Sequence, residues 1–261
     1  MKKYFFYLLT AILILPLCIQ GCSKDPDNEN HKPNGVETNP TPTPTPTLEP
    51  TPTPEPTPTP TPSTPLEVKV NGNISTTNFV TGTRGAVEFN RFPATVDEWK
   101  QVREKIGETM MGGFALQVMA SEMYRRNNAI GEECMRLAII SASQNSYINL
   151  AKGIKHPYQY AAHLKGASQA NGFNPTKPYT IEFVVTGTSN KQYSNDYQAD
   201  VYRFFAISNG HDMTERTFSV LKTARPGEPG EGGKYYIVIS SSTLYNECKE
   251  KLFTVPFNGL D

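Results

Sequence analysis

Residues that usually announce chemistry are scarce in this chain. It has four cysteines, four histidines and one tryptophan in 261 residues. Cys18 and Cys22 fall in the N-terminal leader, so only Cys134 and Cys248 remain for the rest. Two cysteines make at most one bridge, not the disulfide framework on which small secreted folds depend. Net charge is also lacking, because 25 Lys and Arg offset 25 Asp and Glu. With no dense basic run beyond Lys2 and Lys3, nucleic acid is not expected as a partner. There is no Gly-x-Ser-x-Gly elbow, and Gly112 and Gly113 are not followed by the lysine and hydroxyl residue of a phosphate loop. The nearest histidine pair, His156 and His163, is seven residues apart. On a helix that is a rise of about 10.5 Å, too far for one metal ion. No cofactor and no metal site are therefore expected.

The leader is legible. Lys2 and Lys3 precede an apolar run from Tyr4 to Leu17, and Ile19, Gln20 and Gly21 lead into Cys22. The run is short for a membrane span. A positive start, an apolar middle and a small residue before cysteine make the pattern of lipoprotein export. Residues 1–21 are read as the signal peptide and Cys22 as the lipidated residue, holding the protein to the membrane through its acyl chains. Gln20 is unusual at its position in such a site. Ser23 as the second mature residue favours the outer membrane in a diderm cell. The acidic stretch after it resembles the short surface-export tags of some lipoproteins.

Residues 22–65 continue as the lipidated N-terminus and a Thr-Pro stalk. From Asn39 to Pro65 the alternation is broken only by Leu48, Glu49, Glu55 and Ser63. Repeated proline fixes φ and removes amide donors, so this segment is a semi-rigid polyproline II spacer reaching roughly 80 Å at about 3.1 Å per residue.

Residues 66–261 have the composition of one globular domain, large enough to fold without metal or disulfide. Short strands are expected at 66–70 and 85–89. Thr95 with Glu98 forms a capping box ahead of Val96, Trp99, Val102 and Ile106 at helical spacing, closed by Gly107. Further helices are expected over 110–126, 131–140, 146–153 and 157–166. Past Gly172 the pattern alternates, with strands expected at 179–186, 199–207, 217–223 and 234–240. The glycine-rich and proline-rich connection from Pro226 to Gly233 marks a hairpin between the last two. Helices followed by strands define an α+β domain, with the helices on one face of a curved antiparallel sheet. That element order resembles the cone of nuclear transport factor 2-like domains.

The candidate chemistry is sparse. Outside the cytoplasm Cys134 and Cys248 could form one disulfide or stay as two buried thiols. His211 with Asp212 could make an acid-base pair, though Asn209-Gly210-His211-Asp212 reads first as a turn. Glu132 and Glu133 lie near a helix start, where negative charge is favourable. The stretch from Asn171 to Thr180 places Phe173, Lys177 and Tyr179 together, either as a ligand grip or as a rigid crossover whose rings plug the core edge. Tyr193 and Tyr197 are among many tyrosines that could stack on a glycan.

Several stretches together resemble an uncharacterised family of bacterial extracellular lipoprotein domains of unknown function. These are Pro93-Ala94-Thr95-Val96, Ala120-Ser121-Glu122-Met123-Tyr124, Gly131-Glu132-Glu133-Cys134, Asn174 to Thr180, and Leu244-Tyr245 with Cys248-Lys249-Glu250. The resemblance brings no activity, ligand or catalytic residue. The sequence therefore favours a non-enzymatic binding domain displayed on the cell envelope, with a glycan, peptide or envelope protein as ligand. The alternative is an envelope hydrolase using His211, Asp212 or Glu133 in a cleft where helices meet sheet.

Overall fold

Strand pairing, read from a computed structural model, follows chain order almost without crossover. Residues 64–154, 156, 158–241, 248–252 and 254–260 are described. The leader, Cys22, the Thr-Pro stretch up to Ser63, Pro157, Leu244 and Tyr245 lie outside them. A first hairpin joins β1 (Val68–Gly72) to β2 (Arg84–Phe89). The helices follow: α1 (Val96–Ile106), α2 (Met110–Arg126), α3 (Asn128–Ala138), α4 (Gln144–Gly153) and α5 (Tyr158–Ala161). The remaining strands are β3 (Tyr179–Val184), β4 (Asn190–Ser194), β5 (Ala199–Ile207), β6 (Glu215–Leu221) and β7 (Ile237–Ser240). Together they form an open antiparallel sheet in the order β1-β2-β3-β5-β6-β7, with β4 pairing to β5. The domain is thus α+β, its helical layer inserted between adjacent strands β2 and β3.

Alternation along the strands decides what meets the helices. Val87 and Phe89 of β2, Ile181 and Phe183 of β3, Phe204 of β5 and Phe218 of β6 all have no more than 1% exposure. Phe114 of α2 stacks on Phe218 at 4.1 Å and meets Phe183 edge-on. Burying each such side chain contributes roughly 1.5–3 kcal/mol before entropy is counted.

The sequence explains the helices locally. The Thr95 hydroxyl caps α1 by accepting from the Glu98 N–H, and Glu98 accepts in turn from the Ala94 N–H and from the Nη1 and Nη2 of Arg91. α2 is buried continuously from Met110 to Tyr124, which only a central helix tolerates. Its two glycines do not divide it. A Cβ on Gly113 would lie 2.8 Å from the Tyr236 Cβ, so glycine lets α2 press against the chain entering β7.

Several boundaries differ from expectation. α3 begins at Asn128, three residues early, because the Asn127 side chain accepts from the Ala129 and Ile130 N–H groups. Glu132 and Glu133 therefore sit in its second turn. The helix expected over 157–166 is only one turn, since the Lys165 N–H leaves to reach the Thr180 carbonyl. β7 starts late because Tyr235 and Tyr236 direct their N–H groups to Gly230 and Gly107. β4 escaped notice because Asn-Lys-Gln-Tyr-Ser has no buried side and no apolar alternation.

Candidate functional site

The sheet divides where β3 and β5 part company. They pair only from Glu182 to Val184, against Ile207 to Phe205. Beyond this the space is filled by the chain after α5. The Lys165 N–H bonds the Thr180 carbonyl, and Ser168 bridges to Asn209. The turn from β5 to β6 is drawn against α5 as well. The Ser208 hydroxyl donates to the Ala162 carbonyl and accepts from the Gly210 N–H. A Cβ on Gly210 would lie 2.6 Å from that of Ala162, so only glycine fits there.

Two polar regions result, one enclosed and one open. Behind the junction, the His163 and His211 rings lie 4.8 Å apart, and Phe114 meets His163 edge-on. His163 is 1% exposed, His211 0% and Arg216 2%. His211 also pairs through its backbone with Cys248. The turn expected at Asn209 to Asp212 is present, yet its histidine points inward while Asp212 stays exposed. Glu133 is occupied elsewhere, facing Lys100 of α1 at 3.5 Å.

In front of the junction is an open cleft of about 300 Å³ lined by Leu164, Lys165, Gly166, Thr176, Glu182, Ile207, Ser208 and Asn209. Lys165 and Glu182 form an ion pair across it at 2.9 Å, with both side chains more than a third exposed. Such a solvated pair contributes at most about 1 kcal/mol to stability and stays available to a ligand. The Thr176 hydroxyl donates to the Lys165 carbonyl, while the Asn209 amide has no partner among the described residues. Another open depression, of about 420 Å³, lies at the β4–β5 hairpin, lined by Gln192, exposed Tyr193, Ser194, Asn195 and Asp196.

Phe173 and Tyr179 do not offer the open aromatic faces of a ligand grip. Phe173 is fully buried, and Tyr158 stacks on it at 4.8 Å. Tyr179 is 1% exposed and packs against Phe89 and Phe92. Lys177 is exposed, 5.6 Å above the Tyr179 ring. The stretch serves as a crossover, pinned by Asn171 and Asn174. The Asn171 amide donates to the Gly166 and Asn174 carbonyls, and that of Asn174 to the Pro256 carbonyl.

Cys134 and Cys248 are free thiols, not a disulfide. Cys134 belongs to the main core beneath α3, whereas Cys248 packs against the cluster of Phe173, Ala161, Ala162 and Ala167. Burial pushes each thiol up to about 12; Glu133 adds to this at Cys134, whereas at Cys248 Arg216 opposes it and Asp212 adds to it. Neither is a thiolate near neutral pH, so neither is primed as a nucleophile. Among the described residues no three His, Cys, Asp or Glu side chains converge as a metal ion would require.

Sequence reasoning missed Lys165, Glu182 and Ile207 as lining residues. They come from separate segments and share no motif, so only the divergence of β3 from β5 unites them. No curated protein and no solved structure matches the chain, so the likeness to nuclear transport factor 2-like domains rests on element order alone. One family does match, over residues 91–251, which include the helical layer, β3 to β7 and every residue lining the junction cleft. The chain belongs to that family, the domain of unknown function DUF6935.

Proposed function

We propose that this protein is a bacterial envelope lipoprotein, anchored through a lipid on Cys22, that displays a non-enzymatic binding domain at the end of its Thr-Pro stalk. The anchor reading rests on the leader: basic start, short apolar run, and Gly21 before Cys22. In a diderm cell Ser23 favours the outer membrane or cell surface. The binding reading rests on one observation above the rest. The open cleft at the junction carries exposed hydrogen-bonding side chains, whereas His163 and His211 nearby are buried away from solvent. A general base must reach its substrate. His163 and His211 offer no such approach, which favours binding over the hydrolase alternative. The ligand classes in view are a glycan, a peptide or a neighbouring envelope protein.

Two measurements test this. Cys22→Ala is expected to abolish metabolic lipid labelling and release the protein from the membrane fraction; full labelling of the variant would refute the anchor. Immobilised full chain is expected to retain an envelope component, with retention weakened by Asn209→Ala and envelope polymers left intact. Steady release of cleaved polymer that stops in His211→Gln would instead establish the hydrolase.

A further inference from the structure

The lining of the junction cleft restricts the kind of ligand it can take. Its charged side chains are one of each sign, Lys165 and Glu182, already 2.9 Å apart. A ligand with a single charge is drawn to one and repelled by the other, and a zwitterion must first separate the pair. A neutral ligand avoids both penalties if its groups donate and accept at once. Lys165 has N–H donors beyond the one spent on Glu182, and the carboxylate has lone pairs left. The unpartnered Asn209 amide supplies a donor and an acceptor in one plane, and the Thr176 oxygen can accept. Half-buried Ile207 adds apolar surface beside these groups. A volume of about 300 Å³ suits one or two small rings and is cramped for a folded peptide.

We propose that this cleft binds a neutral sugar residue of a larger glycan. Adjacent hydroxyls on a sugar ring present donors and acceptors side by side, so they bridge Lys165 and Glu182 without parting them. The ring's C–H face lies on Ile207. Because no net charge is matched, affinity depends little on salt, unlike recognition of an acidic glycan or a charged peptide. The inference rests on the binding reading above and goes further by naming the ligand class and the side chains that hold it.

The test uses the full chain, purified in detergent, on an array of neutral, acidic and amino-bearing oligosaccharides, followed by calorimetry on whichever neutral glycan is retained. Glu182→Gln and Asn209→Ala are each expected to weaken binding about tenfold, the loss of one hydrogen bond, while Asn195→Ala at the hairpin depression leaves it unchanged. Raising the salt concentration should change the affinity less than twofold. Circular dichroism on each variant separates lost binding from lost fold, and Glu182 and Asn209 are surface positions whose replacement leaves the core intact. Preference for charged glycans, loss of binding through Asn195→Ala, or an array with no glycan retained would each overturn the sugar assignment. If the chain then still holds an envelope peptide or protein and Asn209→Ala weakens it, the binding reading stands without the sugar. If nothing is held at all, both fall.

Discussion

Gly131→Ala offers the sharpest check on how the helical layer is packed. Gly131 lies in the first turn of α3, where that helix crosses the end of α2. An added Cβ would fall 2.0 Å from the Tyr124 nitrogen and 2.1 Å from its Cα. Carbon atoms in contact prefer about 3.5–4.0 Å, so the overlap exceeds an ångström and its target is backbone. A side chain could swing away; the backbone of α2 cannot. The helices must separate, yet they share a single residue. Asn127 is both the C-cap of α2 and the N-cap of α3. Overpacking of this kind costs about 1–3 kcal/mol, and loosening the cap adds about 1 kcal/mol. Alanine returns about 1 kcal/mol in helix propensity. The expected net loss is about 1–3 kcal/mol, or roughly 2–12 °C in melting temperature for a domain of this size. Gly153→Ala is the matched control. Nothing lies within 4 Å of its Cβ, and its φ is compatible with alanine. Stability there should be unchanged or rise by up to about 1 kcal/mol. Urea titration followed by circular dichroism measures both. If Gly131→Ala is as stable as the parent, the close helix crossing is wrong.

Further expectations follow from other groups. The Glu98 carboxyl is held below its ordinary range chiefly by its hydrogen bonds from Arg91. The pair therefore stabilises the fold above the unfolded-state value near pH 4.3, and the contribution is lost as pH falls through the lower folded-state value. Glu98→Gln should lose about 1 kcal/mol at pH 7 and much less in strong acid; a pH-independent difference in urea midpoints would contradict this. Cys134 and Cys248 should resist alkylation in the native protein and both react once it is unfolded without reductant, and a cross-linked peptide in the mass spectrum would disprove their separation. Gln117 is fully buried with neither amide atom satisfied within the described residues. Gln117→Met is expected to stabilise by about 1–2 kcal/mol in thermal melts, and a loss would mean that something enclosed satisfies the amide. A chain starting at residue 91, where the family match begins, lacks β1 and β2 and so uncovers the β3 edge and removes Val87 and Phe89 from the core. Losing those two side chains alone removes roughly 3–6 kcal/mol, so the truncated chain should aggregate or bind hydrophobic dye, whereas a cooperative melt would show the first hairpin to be dispensable.

Local chemistry made much of the molecule legible in advance. The capping box at Thr95 and Glu98, the 3.6-residue spacing of α1 and α2, the alternation of β5 and the turn-rich stretch before β7 are short-range signals that the fold keeps. The proposed lipoprotein anchor and stalk rest likewise on local pattern within residues 1–65. The boundaries that moved did so where a distant partner took over a backbone group. Lys165 broke off a helix to reach Thr180, and Tyr236 left its strand to reach Gly107.

What sits together to make a site was beyond any window of sequence. Phe173 and Tyr179, flanking prolines in a polar connection, left a ligand grip and a core-plugging crossover both open, and the fold turns both rings into the core. His211 looked like a turn residue and is one, but the Gly210 contact with Ala162 carries it inside, next to a histidine 48 positions earlier. Lys165, Glu182 and Asn209 became neighbours only because β3 and β5 pair over three residues and then diverge. Sequence by itself determined the class of fold, its helices and most of its strands, since these depend on periodicity and caps within a few residues. Tertiary structure alone decided which polar groups are enclosed and which face the cleft, because burial is set by contacts between segments far apart along the chain.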